Sequence, residues 1–279
     1  MKRRIILHIG SPKCGSTYLQ QVMLQNRDAL ARRGIRYPHD GGGHPGNAAH
    51  LTNIDRETLA EYFSGGIHTV VLSHEDLYSM TKRGEALAVL TREEGIVVQV
   101  IAFLRPFSEF IYGDFSQFMK QYFDTFLAER APYGGRDFEA FAQRRITTLK
   151  PANYLCNWQT LFPDCPLILS GHRGIRPVMN RLFGTLVCEQ LDWTVDKTLS
   201  NQSLRMQDCD RIAAAMRNSA VPDKLIRDMF IKAFHHVSDP DAGRTPERTA
   251  WLESQFTSQN AELMKLFFFD NRHPDYRTP

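Results

Sequence analysis

A short apolar run, a glycine-bounded turn and an amphipathic segment at the start of the chain constrain its fold more than any other feature. Residues 3–9 are mostly apolar and rich in β-branched side chains, which predicts a buried strand that ends at Gly10. Residues 16–33 carry apolar side chains at helical spacing and predict a helix that ends at Gly34. A strand, a tight turn and a helix in this order predict the first half of a βαβ unit.

The alternation of strand and helix continues along the chain. Further strands are predicted over residues 69–72, 96–104 and 166–169. Helices are predicted over residues 51–63, along the segment after Arg105, over 137–149 and 152–162, and over most of the chain from 175 onward. This pattern predicts an α/β fold, with a parallel β-sheet flanked by helices, in a single domain over residues 1–279. Ligands of such sheets bind outside the carboxyl ends of the strands.

Composition narrows the class of protein. With 42% hydrophobic residues among 279, the chain can bury one large core, and its net charge of +3 is too small to indicate nucleic-acid binding. We find no apolar run as long as a membrane span, and the apolar stretch near the N-terminus is too short for a secretion signal, so we expect a cytoplasmic protein. The five cysteines are widely spaced without a CxxC pair, which favours reduced thiols over a disulfide framework or a metal site.

The turn after the first predicted strand has the composition of an anion-binding loop. Its glycines let the backbone approach a phosphate, the amides of the following helix point toward it, and Lys13 supplies positive charge. The candidate contacts are Gly10, Ser11, Pro12, Lys13, Cys14, Gly15, Ser16 and Thr17. In the nucleoside-triphosphate loop GxxxxGK[ST], the lysine directly follows the second glycine. Here Ser16 occupies that place, which argues against a kinase-type site.

Residues 8–20, HIGSPKCGSTYLQ, resemble the 5′-phosphosulfate-binding loop of sulfotransferases that depend on 3′-phosphoadenosine 5′-phosphosulfate (PAPS), and bacterial carbohydrate-type members most of all. Cys14 departs from the small residue or threonine usual in that family. The resemblance implies a P-loop nucleotide-kinase-like fold with helical insertions. It also implies PAPS as the donor, adenosine 3′,5′-bisphosphate (PAP) as the product, and a hydroxyl of a saccharide, glycolipid or related metabolite as the acceptor, with no metal required.

Arg105 follows the strand predicted over residues 96–104 and can bind a phosphate through two hydrogen bonds. The resemblance implies that Arg105 binds the 3′-phosphate of the nucleotide. A serine eight residues later usually joins this arginine in the family, but here that position is Gly113. We expect Ser108 or Ser116 to substitute for this serine, or backbone amides and the open space beside Gly113 to serve instead.

Sulfuryl transfer needs a base for the acceptor proton and positive charge on the leaving group. Lys13 suits the second role. For the first, Glu75 and His44 are favoured and His74 is a third candidate. His74 and Glu75 follow a predicted strand, whereas His44 lies in the glycine-rich segment 38–47. A histidine titrates near neutral pH, whereas a glutamate base would need its pKa raised by burial.

Two other functions remain open at this point. A P-loop-type nucleotide kinase or hydrolase would use the same strand, turn and helix, although Lys13 is displaced from the position such enzymes use. A catalytically inactive nucleotide-binding module would fit the absence of a serine at Gly113.

Overall fold

The computed structural model describes residues 2–196 and 202–272. The chain divides into two compact units. Unit 1 comprises Met1–Arg105, Lys150–Ser200 and Gln259–Pro279, and unit 2 comprises Pro106–Leu149 and Asn201–Ser258.

Unit 1 contains a five-stranded, wholly parallel sheet. The strands are β1 (Arg4–His8), β2 (Ile35–Arg36), β3 (Thr69–Ser73), β4 (Val97–Leu104) and β5 (Ile168–Gly171). Their order across the sheet is β2-β3-β1-β4-β5. The predicted α/β fold with a parallel sheet is therefore confirmed.

The helices follow in chain order. They are α1 (Ser16–Gln25), α2 (Arg27–Ala31), α3 (Arg56–Tyr62), α4 (Glu85–Glu93), α5 (Phe107–Glu129), α6 (Phe138–Thr148), α7 (Pro151–Leu161), α8 (Ile175–Phe183), α9 (Thr185–Cys188), α10 (Met206–Arg217), α11 (Asp223–Ala233), α12 (Pro246–Gln255) and α13 (Thr257–Phe267). Helices α5, α6 and α10 to α12 belong to unit 2, whose described residues contain no strand.

The strand order creates a crevice at the carboxyl ends of β1 and β4. The connection from β1 leads to β2 at one edge of the sheet, and the connection from β4 leads to β5 at the other edge. Neighbouring strands whose connections leave in opposite directions open a gap between their loops, which is where α/β sheets bind ligands. The predicted anion loop follows β1 and Arg105 follows β4, so both begin at this point.

One face of the sheet packs against α1 and α8 to form an apolar core in unit 1. Ile6 of β1 pairs with Val71 of β3, and both belong to this core together with Leu19 and Met23 of α1. Two residues further along β1, His8 points to the same face, because side chains alternate along a strand. The apolar face thus ends in a polar position at the crevice.

Differences from the predicted elements have local causes. The helix predicted over residues 16–33 divides at Asn26, whose side chain donates to the Val22 carbonyl and accepts from the Asp192 amide. These bonds hold Asn26 outside helical geometry. Strand β2 was not predicted, because two residues are too few to form a recognisable pattern.

Unit 2 is built around α5, which has a non-helical backbone at Tyr122, where φ is −114° and ψ is 16°. A tight 3₁₀ turn over Pro132–Gly135 then leads to α6.

Within the described part of the chain, no helix combines the length and apolarity needed to cross a bilayer.

Candidate functional site

The loop after β1 stays paired with β4 beyond the end of the strand. The Phe103 amide donates to the Gly10 carbonyl at 2.8 Å, and the Ser11 amide donates to the Phe103 carbonyl at 3.0 Å. The Ser11 amide is therefore already satisfied. An anion at this loop would depend on the amides that follow, at the start of α1.

The N-terminus of α1 is suited to an anion. Its N-cap is Gly15, with a left-handed φ of +89°, which supplies no side chain to cap the helix, and the first turn contains no acidic residue. The first amides of an α-helix lack intrahelical partners and carry a partial positive charge. Ser16 is buried and Thr17 is half-buried at this end of the helix.

The rest of the loop is held in one tight conformation. Lys13 is half-buried and adopts a φ of +63°, which few residues other than glycine adopt. Cys14 is fully buried, with its Sγ 3.0 Å from the Ser11 Oγ, and Pro12 is half-buried. A Cβ on Gly15 would lie 2.7 Å from the Ile175 side chain, so the start of α8 packs directly against this loop.

Arg105 lies just beyond β4, two residues after Phe103. The side chain is half-buried, and its Nε is a buried atom without a hydrogen-bond partner among the described residues. We also find no carboxylate of the described chain in an ion pair with it. Buried nitrogen atoms normally have a hydrogen-bond partner, so the unpaired Nε of Arg105 fits a phosphate-binding role.

A network of buried polar side chains lies at the carboxyl ends of β1 and β3. His8 Nδ1 is 2.8 Å from the Ser73 Oγ, in accordance with the register that pairs His8 with Ser73. Gln20 of α1 donates from its Nε2 to the Ser73 Oγ at 3.1 Å and to Glu75 Oε2 at 3.0 Å. His8 and Gln20 are both 0% exposed. The network therefore connects the core of the sheet to Glu75.

The three candidate bases lie together. His44 Nε2 is 3.6 Å from Glu75 Oε1, and the rings of His44 and His74 stack with centroids 5.0 Å apart. A Cβ on Gly10 would lie 2.9 Å from the Glu75 carbonyl oxygen, so the anion loop and this cluster are in direct contact. We call Glu75, His44 and His74 the acidic-histidine cluster.

The glycine-rich segment 38–47 is attached to β3 at its end. The Asn47 amide donates to the Ser73 carbonyl at 3.0 Å, and the Asn47 side chain bonds both the Val71 carbonyl and the Ser73 amide. The Tyr37 hydroxyl donates to the Pro45 carbonyl at 2.6 Å. These bonds fix His44 beside Glu75, although the three successive glycines of the segment are exposed.

The hydrogen bonds of the two histidines decide which group in the cluster can take a proton. A backbone amide can only donate, so the ring nitrogen that faces it must accept. Nδ1 of His44 accepts from the Gly46 amide at 3.0 Å, and Nδ1 of His74 accepts from the Asp76 amide at 3.2 Å. The neutral form of each ring therefore carries its proton on Nε2. The Glu75 carboxylate is left as the proton acceptor of the cluster.

Two groups of the cluster, Glu75 and His74, have pKa values that are shifted by their surroundings. Burial would raise the pKa of Glu75, but the hydrogen bond from Gln20 and the neighbouring His74 and His44 outweigh it, so the pKa is lowered. Glu75 is therefore ionised at neutral pH, and its net shift is opposite to the one that a glutamate base was expected to need. Burial lowers the pKa of His74 and lowers that of His8 to about 4.

Three residues expected beside Arg105 at the 3′-phosphate, Ser108, Gly113 and Ser116, lie in unit 2. Gly113 is buried within α5. Ser116 is 0% exposed, and its Oγ accepts a hydrogen bond of 2.7 Å from the Leu204 amide. Ser116 thus has an internal structural contact and offers no surface to a ligand. Ser108 is also buried, at 3% exposure.

His8, Gln20 and Ser73 were not among the residues predicted from the sequence. The available signal was a polar side chain at a buried position, such as a histidine inside an apolar strand.

In the described ranges we find neither a disulfide among the five cysteines nor a group of three or more His, Cys, Asp or Glu side chains placed to hold a metal ion.

Comparisons with protein-family models, with curated proteins and with solved structures find no match to this chain.

Proposed function

We propose that this protein is a PAPS-dependent sulfotransferase with a P-loop nucleotide-kinase-like fold. One observation supports the proposal above the others. The uncapped N-terminus of α1 follows the loop that pairs with Phe103 of β4, and the unpaired Arg105 follows the end of the same strand, where the strand connections diverge. Two anion-binding elements at one crevice fit a nucleotide that carries phosphate groups at both the 3′ and the 5′ position of its ribose.

The proposed reaction is an in-line displacement at sulfur. The acceptor hydroxyl oxygen forms a bond to sulfur as the bond between sulfur and the bridging oxygen breaks. That oxygen leaves as part of the 5′-phosphate of PAP and gains negative charge. Lys13 and the amides of α1, with the hydroxyls of Ser16 and Thr17, stabilise this charge in the transition state.

Glu75 is the proposed base that takes the acceptor proton. Its carboxylate is ionised at neutral pH and is oriented by Gln20 on one oxygen, with His44 beside the other. A neutral His44 would present its Nε2 proton to Glu75 or to an acceptor oxygen. We therefore assign His44 and His74 to orienting roles beside Glu75.

A catalytically inactive nucleotide-binding module is the second candidate. The observation in its favour is that Gly113 lacks a hydroxyl, while the Ser116 hydroxyl already accepts a hydrogen bond from the Leu204 amide. A kinase or hydrolase is less favoured, because Ser16 stands where such a loop carries its lysine.

The test is to incubate the protein with PAPS labelled in sulfur and a set of saccharide, glycolipid and phenolic acceptors. We expect a labelled sulfate ester and an equal amount of PAP. Binding of PAP without product from any acceptor would favour the inactive module, and phosphoryl transfer from ATP with Mg²⁺ would favour the kinase.

A further inference from the structure

Unit 2 contains a cavity that the proposed sulfotransferase chemistry does not use. It lies between the second half of α5, the turn over Pro132–Gly135 and α6, and its volume is about 400 Å³. Volumes of this size are typical of small-molecule sites. All of the residues that line it belong to unit 2.

Aromatic rings form the wall of this cavity. They come from Phe118, Tyr122, Phe126, Tyr133 and Phe141. The rings of Phe118 and Phe141 meet edge to face with centroids 5.2 Å apart, and Phe118 also contacts Tyr122 at 5.4 Å. Rings that already pack against one another present a fixed apolar surface, on which a flat ligand can stack without reordering the wall.

Tyr122 stands out within that wall. It is 45% exposed, whereas Phe126, Tyr133 and Phe141 are buried. The non-helical backbone of α5 is at the same residue. The break in the helix therefore coincides with the ring that a ligand could cover.

The polar part of the lining is positively charged. Arg136, Arg144 and Arg145 line the cavity together with Thr148, and no acidic residue does. Arg145 forms an ion pair with Asp114 at 2.5 Å, and Arg136 donates to the Tyr133 carbonyl at 3.0 Å. The exposed Arg144 side chain forms neither an ion pair nor a hydrogen bond with any described residue. The arginine charges beside the aromatic wall would repel a cationic ligand and attract an anionic one.

From these observations we propose that the cavity binds a small aromatic anion, namely a planar ring system that carries a carboxylate, sulfonate or sulfate group. The rings of Phe118 and Tyr122 would contact the planar body. Arg144 would bind the anionic group, since a guanidinium matches the geometry of two oxygens. This site does not depend on the proposed sulfotransferase activity.

The test uses the full-length protein and two probes that share a ring system. The first is 8-anilinonaphthalene-1-sulfonate, and the second is N-phenyl-1-naphthylamine, which lacks the sulfonate. We expect saturable binding of one equivalent of the sulfonate, and about tenfold weaker binding of the neutral probe, because a charge-assisted hydrogen bond is lost.

Two substitutions in the cavity separate charge from stacking. Arg144→Gln is expected to weaken binding of the sulfonate about tenfold while leaving the neutral probe unchanged. Tyr122→Ala is expected to weaken both probes. The matched controls are Arg92→Gln and Phe268→Ala, which change exposed residues of unit 1 and are expected to bind both probes as the wild type does.

The proposal is overturned if Arg144→Gln and Tyr122→Ala bind the sulfonate as tightly as the wild type. It is also overturned if the neutral probe binds as well as the sulfonate, or if the control substitutions weaken binding as much as those in the cavity. Melting curves of each variant confirm that a loss of binding is not a loss of folding.

Discussion

The acidic-histidine cluster of unit 1 and the aromatic cavity of unit 2 use polar side chains in different ways. Around Glu75, the polar groups bond one another, and His8 and Gln20 are fully buried. In the cavity, the polar groups are arginines beside a wall of rings, and Arg144 is exposed. A buried network fixes atoms in the geometry that proton transfer needs, whereas an exposed cation beside packed rings provides affinity for an anionic ligand.

Substitution of Lys13 is expected to have the largest effect on the unit 1 site. Lys13→Ala should lower the rate of sulfuryl transfer by about 10²-fold to 10³-fold, because a group that stabilises developing charge is lost. The measurement is single-turnover transfer from PAPS. Lys82→Ala, which removes an exposed lysine from a 3₁₀ turn, is the control and should retain wild-type turnover. Wild-type turnover in Lys13→Ala would remove this residue from the mechanism.

Glu75→Gln separates chemistry from binding in the same site. It should lower kcat by about 10²-fold with PAP affinity retained, because the amide has a similar shape but cannot take a proton. The neighbouring exposed carboxylate gives a matched control, Asp76→Asn, which should stay near the wild-type rate. In the wild type, the lowered pKa of Glu75 should place the acid limb of a kcat profile against pH below the ordinary glutamate pKa of 4.5. Equal losses in both variants would contradict the role of Glu75.

Burial of His8 makes the stability of the fold depend on pH. Its pKa falls from 6.5 to about 4 on folding, so the unfolded chain binds the proton more tightly between these values. The contribution of neutral His8 to the free energy of unfolding is fully present above pH 6.5 and is lost as the pH falls toward 4. It amounts to about 3 kcal/mol in the free energy of unfolding.

Urea unfolding at pH 7 and pH 4.5 measures this effect. His8→Gln should be destabilised at pH 7 but should show a smaller pH dependence than the wild type. His50→Gln, at an exposed histidine, is the control and should retain the wild-type dependence. An unchanged slope in His8→Gln would show that other groups cause the pH dependence.

The smallest expected effect tests the contact between the anion loop and the cluster. Gly10→Ala puts a Cβ 2.9 Å from the Glu75 carbonyl at a φ of +108°, and should lower the free energy of unfolding by about 1–3 kcal/mol. Thermal and urea unfolding measure the change. Gly43→Ala has open space around its Cβ and should be near neutral, so an equal effect of the two changes would contradict the contact.

The parts of the fold that were predictable from the sequence are those with long local patterns. Strands β1, β3 and β4 are apolar runs with clear ends, and their carboxyl ends indicated Lys13, Glu75 and Arg105 as site residues. Strand β2 has two residues, and its pairing with β3 depends on the fold around it. The break between α1 and α2 depends on Asn26 bonds to Asp192, distant in sequence.

The network around Glu75 could not be predicted for the same reason. His8 and Ser73 meet because β1 and β3 pair in one register, and Gln20 joins them from a helix packed on that face. The histidine inside the apolar strand β1 marks a polar position, but nothing local indicates that Ser73 and Gln20 join it. The division of the chain into two units is likewise a property of contacts between distant segments, and the single domain expected over residues 1–279 stays a prediction.

The most direct test of the central claim is a thermal-shift titration with PAP against ATP and Mg²⁺. A ligand that binds only the native state raises the melting temperature, and at one ligand concentration the tighter ligand gives the larger rise. We expect the larger rise with PAP, increasing with the logarithm of its concentration, and a smaller rise with PAP in an Arg105→Ala variant. A larger rise with ATP and Mg²⁺, or no rise with PAP, would contradict it.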